Sequence, residues 1–339
     1  MHIFDDRPRA GTPVMSALIQ RSRQGPSDLA LATDVPTPVP GPDDLLVRVT
    51  AAGVNFADVM QTRGTYGGGP GAPYTAGFEA VGEVVGAGSG VRKPPPPGTR
   101  VVGTGPGAFA QYMTMPAVSV IDVPAGWADA AALGMELNWA TALAALVPLG
   151  GVGPGSVVLV HAAAGGVGQA AVTLALHYGA RVIATAAPSK HGVLRALGAH
   201  EVLDSSRPDL ADEITRRTGG VDLVLESVGR ATFAASLAVT KPITGRIVVF
   251  GHSSGEATVS SHELTFQHPV QILGLHIGTL ASSAPEMYAG LLSELSDLVS
   301  ARVYLPGTPT VHPLAEGPRV LHDMEARRTQ GKHALDPWA

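Results

Sequence analysis

The amino-acid sequence predicts an α/β fold in which a doubly wound parallel sheet follows a β-rich region. Two observations support this fold class. Before about residue 124, short apolar segments are interrupted by glycine and proline, as in β-rich domains. After about residue 127, apolar strands alternate with helical segments, which is typical of a parallel sheet covered by helices. With 339 residues, the chain is long enough for two domains.

The first region is predicted to consist mainly of strands. Residues 1–14 are polar and contain proline and glycine, so we predict an extension ahead of the folded part. Strands are expected at residues 45–49, 80–86 and 99–103. The proline run at 94–97 predicts an extended surface loop, because proline has no backbone N–H to donate.

The second region is predicted to alternate strands and helices in chain order. A helical segment at 129–146 precedes strands at 157–161, 181–185, 201–203, 221–226 and 246–250, which are joined by helices at 166–178, 190–197, 209–218 and 231–239. The final residues predict a helix at 285–300, a strand at 302–305, a helix at 314–328 and a short run at 332–335. These pieces are too few for a third domain, so we expect them to complete the N-terminal one.

Composition and charge exclude several classes of protein. The chain is 45% hydrophobic and 15% charged with a net charge of −5, which predicts a soluble folded protein and does not favour nucleic acid as a partner. No apolar run approaches the roughly 20 residues of a membrane span. The first residues lack a basic-then-apolar export pattern, so we expect a cytoplasmic protein. The absence of cysteine excludes disulfides, thiol catalysis and thiolate zinc ligands.

A strand, a turn of small residues and a helix follow one another at residues 157–178. The turn carries the glycine pattern of dinucleotide-binding proteins in a variant form, with small residues at Ala163, Gly165 and Gly168 and with Gly166 and Val167 between them. Small residues let the backbone approach a pyrophosphate, and the N–H groups at the start of a helix point towards it. Because the pattern lies between a strand and a helix, we predict a dinucleotide site. The alternative is a tight turn without a ligand.

The end of the second strand of such a sheet selects the cofactor. An acidic residue there binds the free 2′-hydroxyl of NAD, whereas a cation binds the 2′-phosphate of NADP. No Asp or Glu occurs between Gly168 and Glu201, and Ser189 and Lys190 follow the strand. A lysine and a serine beside helix N–H groups suit a phosphate. We therefore predict NADPH, and the alternative is that Lys190 is only a solvated helix residue.

Several motifs together point to one family. They are residues 48–58 (RVTAAGVNFAD), 63–66 (RGTY), 77–82 (GFEAVG), 160–168 (VHAAAGGVG) and 331–332 (GK). With these motifs the chain resembles the zinc-independent medium-chain dehydrogenase/reductase superfamily, in particular its quinone oxidoreductase (zeta-crystallin-like) branch. The stretches 184–190 (ATAAPSK) and 194–198 (LRALG) are similar to enoyl reductase domains of modular polyketide synthases.

The resemblance implies a Rossmann NADP-binding domain, residues 138–278, inserted into a GroES-like β-rich catalytic domain made of residues 15–137 and 279–339. It implies an active site in the cleft between them and a homodimer formed through the Rossmann domains. Zinc-containing members place Cys, His and Glu ligands in this cleft. In this chain Phe78 replaces the His of their Gly-His-Glu motif and cysteine is absent, so we expect no metal. Without a Lewis acid to stabilise an alkoxide, alcohol oxidation is not expected.

The resemblance also implies which residues line the site. Asn55 would hydrogen-bond a substrate carbonyl or the cofactor, and Tyr66 would stack on a planar acceptor or donate a proton or hydrogen bond to a developing enolate. For Tyr66 the alternative is a loop aromatic that covers the sheet. Asn138 replaces a Thr that touches the nicotinamide end of the cofactor, and Ala140 replaces an aromatic residue, which would widen the pocket.

Further cofactor contacts are expected at strand ends and at the end of the chain. Val228, Phe250, Gly251 and His252 follow two strands, whose carboxyl ends face the cofactor in such sheets. For His252 the alternative is an ordinary surface histidine. Lys332, in the closing Gly-Lys pair, is implied to reach cofactor phosphates.

Hydride transfer to an electron-poor acceptor needs no metal. The leading hypothesis is therefore an NADPH-dependent, metal-free oxidoreductase that reduces a small molecule, either a quinone or an activated enone. One alternative is a free-standing enoyl reductase that acts on an acyl thioester in polyketide biosynthesis. Another is a non-catalytic NADPH-binding protein.

Overall fold

The structure is a computed structural model that describes residues 13–67 and 69–339. It divides into two compact units. One is the described part of Met1–Leu137 together with Pro306–Ala339, and the other is Asn138–Leu305. The predicted extension at 1–14 lies almost entirely outside the described residues, and Val14 already begins a strand. No helix of the described part is long and apolar enough to cross a membrane.

The first unit begins with eight strands and one helix. The strands are β1 (Val14–Gln20), β2 (Leu29–Pro36), β3 (Asp44–Val54), β4 (Tyr74–Thr75), β5 (Glu79–Ala87), β6 (Arg100–Thr104), β7 (Tyr112–Pro116) and β8 (Val120–Asp122), and the helix is α1 (Phe56–Arg63). The three strands predicted in this region coincide with β3, β5 and β6. β1 pairs with β2 and β4 in a small sheet, and β3 pairs with β5 and β7 in a larger one.

The continuous helix predicted at 129–146 is wrong. The segment consists of a 3-10 turn (Asp129–Ala132), a π-helical turn (Met135–Trp139) and α2 (Ala140–Leu146). Gly134 separates the first two turns with a φ of 91°, a left-handed conformation that a right-handed helix does not contain.

Six parallel strands form the sheet of the second unit. They are β9 (Val157–Val160), β10 (Arg181–Ala186), β11 (Glu201–Asp204), β12 (Leu223–Glu226), β13 (Arg246–Val249) and β14 (Gln271–Gly274). The helices after α2 are α3 (Gly166–His177), α4 (His191–Ala196), α5 (Leu210–Thr218), α6 (Phe233–Val239), α7 (Ile277–Ser283) and α8 (Pro285–Ser300). The strand order β11-β10-β9-β12-β13-β14 starts from the middle strand and runs outwards in both directions, which is the Rossmann order. This confirms the predicted doubly wound sheet.

The chain ends with β15 (Thr310–Pro313), α9 (Gly317–Glu325) and β16 (His333–Asp336), which belong to the first unit. β16 pairs antiparallel with β3 and so adds the end of the chain to the larger sheet. The helix predicted at 314–328 is a 3-10 turn, Leu314–Glu316, followed by α9. The strand predicted at 302–305 is wrong, because the N–H groups of Val303 and Tyr304 bond to the carbonyl of Leu298 and close the end of α8.

The second boundary between the units also differs from the predicted one. The prediction assigns residues 279–305 to the first unit, whereas they cluster with the second. Within the second unit α8 packs against α2, and the rings of Trp139 and Tyr304 stack with their centroids 3.7 Å apart. These contacts hold the segment on the second unit, and chain order alone does not reveal them.

Candidate functional site

The turn between β9 and α3 leaves backbone N–H groups available for an anion. Ala162 has a φ of 48°, and its carbonyl accepts the N–H of Gly165 at 3.0 Å. Gly165 is the N-cap residue of α3, and no side chain caps this twelve-residue helix. The first N–H groups of a helix have no partner within the helix, and they carry its positive end. The turn therefore has the geometry of a phosphate-binding loop.

Close packing explains why Gly168 follows in this loop. A Cβ at Gly168 would lie 2.5 Å from the carbonyl oxygen of Ala162 and 2.6 Å from Cα of Ala163. A Cβ at Gly166 would lie 2.9 Å from Oδ1 of Asn138. The structure thus brings together the predicted loop residues 163–168 and the predicted Asn138.

The predicted phosphate residues follow the end of β10, and the end of the neighbouring strand β11 carries one acid that the prediction missed. Ser189 and Lys190 lie in a 3-10 turn that follows the strand, and Ser189 is exposed. Asp204 ends the neighbouring strand β11 in register with Ala186, the last residue of β10. Hydrogen bonds from the backbone and hydroxyl of Ser206 hold the pKa of Asp204 below its usual value. The prediction missed Asp204 because it considered only residues between Gly168 and Glu201.

The ends of β12 and β13 bring the other predicted contacts to the same edge of the sheet. Val228 is buried in the turn after β12, and the N–H of Phe250 donates to the carbonyl of Glu226 at 3.0 Å. Gly251 and His252 follow directly, and both are partly buried. Because β9, β12 and β13 are parallel, these residues and the phosphate loop share one edge.

Glu226, the last residue of β12, is a fully buried carboxylate at this edge. It accepts the backbone N–H groups of Val228 and Gly229 at 2.8 and 3.0 Å. It also accepts the hydroxyls of Thr232 and Ser236 at 2.8 and 2.6 Å. A glutamate that ends an otherwise apolar strand is the sequence signal that would have identified it.

His161 is the second buried ionisable group at this edge, with an exposed fraction of 1%. Its Nδ1 lies 2.9 Å from the hydroxyl of Thr185, and its Nε2 lies 4.0 Å from Oε2 of Glu226. Burial lowers the pKa of His161, and the charge of Glu226 opposes that effect. The ring is therefore neutral at neutral pH.

In the first unit, Asn55, Glu79 and Lys332 form a hydrogen-bonded triad. The ammonium of Lys332 donates to Oε2 of Glu79 at 2.5 Å and to Oδ1 of Asn55 at 2.8 Å. The Nδ2 group of Asn55 donates to the same Glu79 oxygen at 2.8 Å. Glu79 is fully buried and the side chain of Lys332 is 13% exposed, so each charge compensates the other away from water.

The triad fixes the orientation of the Asn55 amide. Its oxygen accepts from a cation and its nitrogen donates to an anion, so the reverse orientation would lose both bonds. Hydrogen bonding of Asn55 to a substrate carbonyl, as predicted, would compete with the bond to Glu79. A reach of Lys332 to a cofactor phosphate would likewise compete with its two partners. In this arrangement the polar groups of both residues are engaged with each other and with Glu79, the member of the triad that the prediction missed.

Asp58 is a second buried acid near the triad. Its Oδ2 accepts the backbone N–H of Asn55 at 2.7 Å, whereas Oδ1 has no hydrogen-bond partner among the residues that the structure describes. Burial raises the pKa of Asp58 to about 8, against the lowering effects of the Asn55 hydrogen bond and of Lys332. Asp58 is therefore mostly protonated at neutral pH.

The predicted Tyr66 lies against Phe78. The two rings stack with their centroids 6.4 Å apart and with 27° between their planes. Burial raises the pKa of the Tyr66 hydroxyl, and the negative charge that Asp58 gains above its own pKa raises it further. Tyr66 therefore keeps its proton at neutral pH, as a hydrogen-bond or proton donor must.

The residues around the triad do not fit a metal ion. Both oxygens of Glu79 already accept hydrogen bonds, one from Lys332 and Asn55 and the other from the N–H of Gly134 at 2.5 Å. The ammonium of Lys332 would repel a second cation at this carboxylate. Across residues 13–67 and 69–339, no group of three or more His, Asp or Glu is arranged to hold a metal ion.

Two family models match the chain. The model described as "Alcohol dehydrogenase GroES-like domain" matches residues 41–125, and the model described as "Zinc-binding dehydrogenase" matches residues 166–297. The first match lies in the β-rich unit and the second in the unit with the parallel sheet.

Among the curated relatives that cover most of the chain are a polyketide synthase and a synaptic vesicle membrane protein homolog. The mycocerosic acid synthase-like polyketide synthase of Mycobacterium tuberculosis is 36% identical over 303 residues, which are 88% of this chain but 14% of that protein. The synaptic vesicle membrane protein VAT-1 homolog of Homo sapiens is 30% identical over 319 residues, which are 88% of this chain and 80% of that protein.

Among the solved structures that have the same fold over nearly the whole chain are a quinone oxidoreductase and an enoyl reductase. The quinone oxidoreductase of Escherichia coli, complexed with NADPH, is 29% identical with a TM-score of 0.88 and covers 95% of this chain and 100% of its own. The CurK enoyl reductase is 28% identical with a TM-score of 0.86 and covers 95% and 99%.

Proposed function

This chain belongs to the medium-chain dehydrogenase/reductase superfamily, and on that premise we propose that it is an NADPH-dependent oxidoreductase that reduces a quinone or an activated enone. The observation that carries the proposal is the phosphate loop. No side chain caps the first N–H groups of α3, and the backbone around Gly168 is packed too closely for any side chain at that position. The likeness to the Escherichia coli quinone oxidoreductase, which was solved with NADPH, supports both the cofactor and the reaction.

The residues of the second unit fit NADPH. The loop at 163–168 would hold the pyrophosphate, and Ser189 and Lys190 would hold the 2′-phosphate. Asn138, Val228 and the segment 250–252 would line the ribose and nicotinamide. When bound, the dihydronicotinamide supplies the hydride.

The proposed reaction is metal-free. The chain has no cysteine, Phe78 takes the place of a histidine ligand, and Glu79 has no free oxygen to offer a cation. A quinone or an enone conjugated to a carbonyl accepts hydride without a Lewis acid. These acceptors therefore suit the site better than a simple alcohol or ketone.

In the first unit, Tyr66 is the proposed contact with the acceptor. Its protonated hydroxyl would donate a hydrogen bond or a proton to the oxygen or carbon that gains negative charge. Asn55 and Lys332 would act as positioning residues, because their polar groups hold one another and Glu79.

One alternative is an enoyl reductase that acts on an acyl thioester. The likeness to the CurK enoyl reductase and to a polyketide synthase supports it. This chain spans only 14% of that synthase, so activity within a larger assembly does not transfer with the likeness. The other alternative is an NADPH-binding protein without turnover.

The proposed active form is a cytoplasmic homodimer joined through the second units. β14 is the edge strand of the parallel sheet and pairs with β13 on one side. Its other side presents backbone N–H and C=O groups to which a second copy could bind. Sedimentation velocity tests the dimer.

A screen of NADPH oxidation tests the function and separates the alternatives. Turnover of quinones or simple enones supports the proposal, turnover of enoyl thioesters alone supports the first alternative, and tight binding without turnover supports the second. Tyr66→Phe should slow enone reduction by roughly a hundredfold if Tyr66 donates the proton. Tyr112→Phe, which removes another tyrosine hydroxyl of the same unit, is the matched control, and an unchanged rate in Tyr66→Phe would exclude Tyr66 as the donor.

A further inference from the structure

His161 and Glu226 form a buried pair of ionisable side chains at the edge of the sheet where the phosphate loop begins. Both side chains are completely shielded from solvent, and 4.0 Å separate Nε2 of His161 from Oε2 of Glu226. Neither residue belongs to the predicted cofactor contacts. A buried negative charge near a loop that binds anions would repel the anion, so the presence of Glu226 there needs a physical explanation.

The surroundings of Glu226 suit a charged carboxylate. Four donors face its two oxygens: two backbone N–H groups of the turn after β12, and two hydroxyls from Thr232 and Ser236. Glu226 thereby fixes the turn at Val228 and Gly229, and it places one negative charge at the cofactor edge.

His161 has a place for a second proton. Its Nδ1 is hydrogen-bonded to the hydroxyl of Thr185, whereas its Nε2 has no hydrogen-bond partner among the described residues and lies on the side of Glu226. A proton on each nitrogen would leave Nδ1 donating to Thr185 and Nε2 facing the carboxylate. From β10 the ring is faced by the neutral Thr185, and from β12 by Glu226, the charged group that acts on it.

The pair of His161 and Glu226 is connected to the loop through the backbone and through a hydrogen bond. Ala162, the next residue, has a φ of 48° and starts the turn, and the N–H of Ala163 donates to the carbonyl of Thr185 at 3.1 Å. With a neutral imidazole the pair carries one net negative charge beneath the loop, which repels a pyrophosphate. With an imidazolium the pair is neutral, so a bound anion favours the protonated ring.

We propose that His161 takes up a proton from solvent when the pyrophosphate of the dinucleotide binds to the loop, and that the resulting charge pair with Glu226 secures the loop in its binding conformation. His161 and Glu226 are then positioning residues for the cofactor. The inference rests on the proposed function, because it assumes that the ligand is NADPH.

Calorimetric titration of NADPH into the full chain tests the inference. Titrations at one pH, near 7.5 where the 2′-phosphate is ionised, in two buffers with different heats of ionisation give the number of protons exchanged. We expect wild type to take up a substantial fraction of one proton per NADPH. In parallel, the Kd should rise with pH by up to about tenfold per pH unit above neutrality.

Two variants and one control identify the group that titrates. His161→Gln should abolish both the proton uptake and the pH dependence of Kd, whereas His262→Gln, at an exposed histidine of the same unit, should retain them. Glu226→Gln keeps the shape but removes the charge, so it should also abolish the uptake, and at high pH it should bind NADPH at least as tightly as wild type because no negative charge then lies beneath the loop. If Glu226 had only a structural role, Glu226→Gln would instead weaken NADPH binding at every pH and leave the proton uptake unchanged.

The outcomes separate this inference from the function on which it rests. No saturable binding of NADPH would overturn the proposed function. Binding with the same proton exchange in wild type and His161→Gln would overturn the inference alone. The wild-type buffer comparison needs no substitution, so the test stands even where a buried variant folds poorly.

Discussion

The ammonium of Lys332 donates a hydrogen bond of 2.8 Å to the side-chain oxygen of Asn55, although the two residues lie 277 positions apart in the chain. Glu79 accepts hydrogen bonds from both. Strand β16 pairs with β3, and β3 pairs with β5, so the register of three strands brings these residues together. The end of the chain therefore supplies one member of a buried polar triad in the first unit.

Removal of this ammonium should destabilise the first unit. Lys332→Met leaves the carboxylate of Glu79 buried without its cation, and such a loss costs roughly 3 kcal/mol of unfolding free energy. Urea denaturation of wild type and variant measures the difference. Lys93→Met, at an exposed lysine of the same unit, is the matched control and should change stability by less than about 0.5 kcal/mol. Equal effects of the two substitutions would contradict the assignment of Lys332 as the group that compensates the charge of Glu79.

Asp58 should make stability fall as pH rises. Burial raises the pKa of its carboxyl from 3.8 to about 8, so the folded state keeps a proton that the unfolded state releases. This contribution is complete below pH 3.8 and is lost as pH rises through about 8. Asp58→Asn keeps an oxygen for the Asn55 N–H and should reduce the drop in melting temperature between about pH 5 and about pH 9.

Asp34→Asn is the control for Asp58, because Asp34 is exposed in the same unit. It should show the pH dependence of wild type. A fall in melting temperature that is as steep in Asp58→Asn as in wild type would mean that Asp58 is ionised in the folded protein.

The sequence predicted the local parts of the fold well. Four strands of the parallel sheet are mainly apolar runs, and β11 carries Val202 and Leu203 between two acids; the prediction places each of these five strands within a few residues. The sixth, Gln271–Gly274, has only two apolar residues at its centre and is half exposed, and it was not predicted. The prediction of one helix at 129–146 is wrong at Gly134, which has a left-handed conformation. The contacts of the folded protein select that conformation, and the helical composition of the segment does not show it.

The same distinction applies to the candidate site. The phosphate loop is contiguous in sequence, so a motif could reveal it. The positions of Glu79 and Lys332 depend on strand register, and that of Asp204 depends on the parallel pairing of β11 with β10. These contacts are long-range, and a sequence pattern does not show which strands lie next to each other when they are far apart in the chain.

Gly168→Ala should weaken cofactor binding. The new Cβ would lie 2.5 and 2.6 Å from backbone atoms of Ala162 and Ala163, so the loop or α3 must move. We expect at least a tenfold rise in the Kd of NADPH and a loss of about 1–3 kcal/mol in stability. Gly290→Ala in α8, where a Cβ meets nothing within 4 Å, is the control and should be stabilising by roughly 0.5–1 kcal/mol. Unchanged NADPH affinity in Gly168→Ala would show that the loop is not part of the cofactor site.

Lys190→Ala should distinguish NADPH from NADH. If the ammonium holds the 2′-phosphate, its loss removes a charge-assisted hydrogen bond, which corresponds to roughly a tenfold rise in the KM for NADPH. The KM for NADH should change by less than about twofold, since NADH has no 2′-phosphate. Arg195→Ala, at an exposed cation of α4, controls for a general loss of positive charge. Asp204 lies at the same edge of the sheet, and an acid at this position favours a free ribose hydroxyl. Equal effects of Lys190→Ala on the KM for NADPH and for NADH would therefore indicate that Asp204, and not Lys190, recognises the ribose.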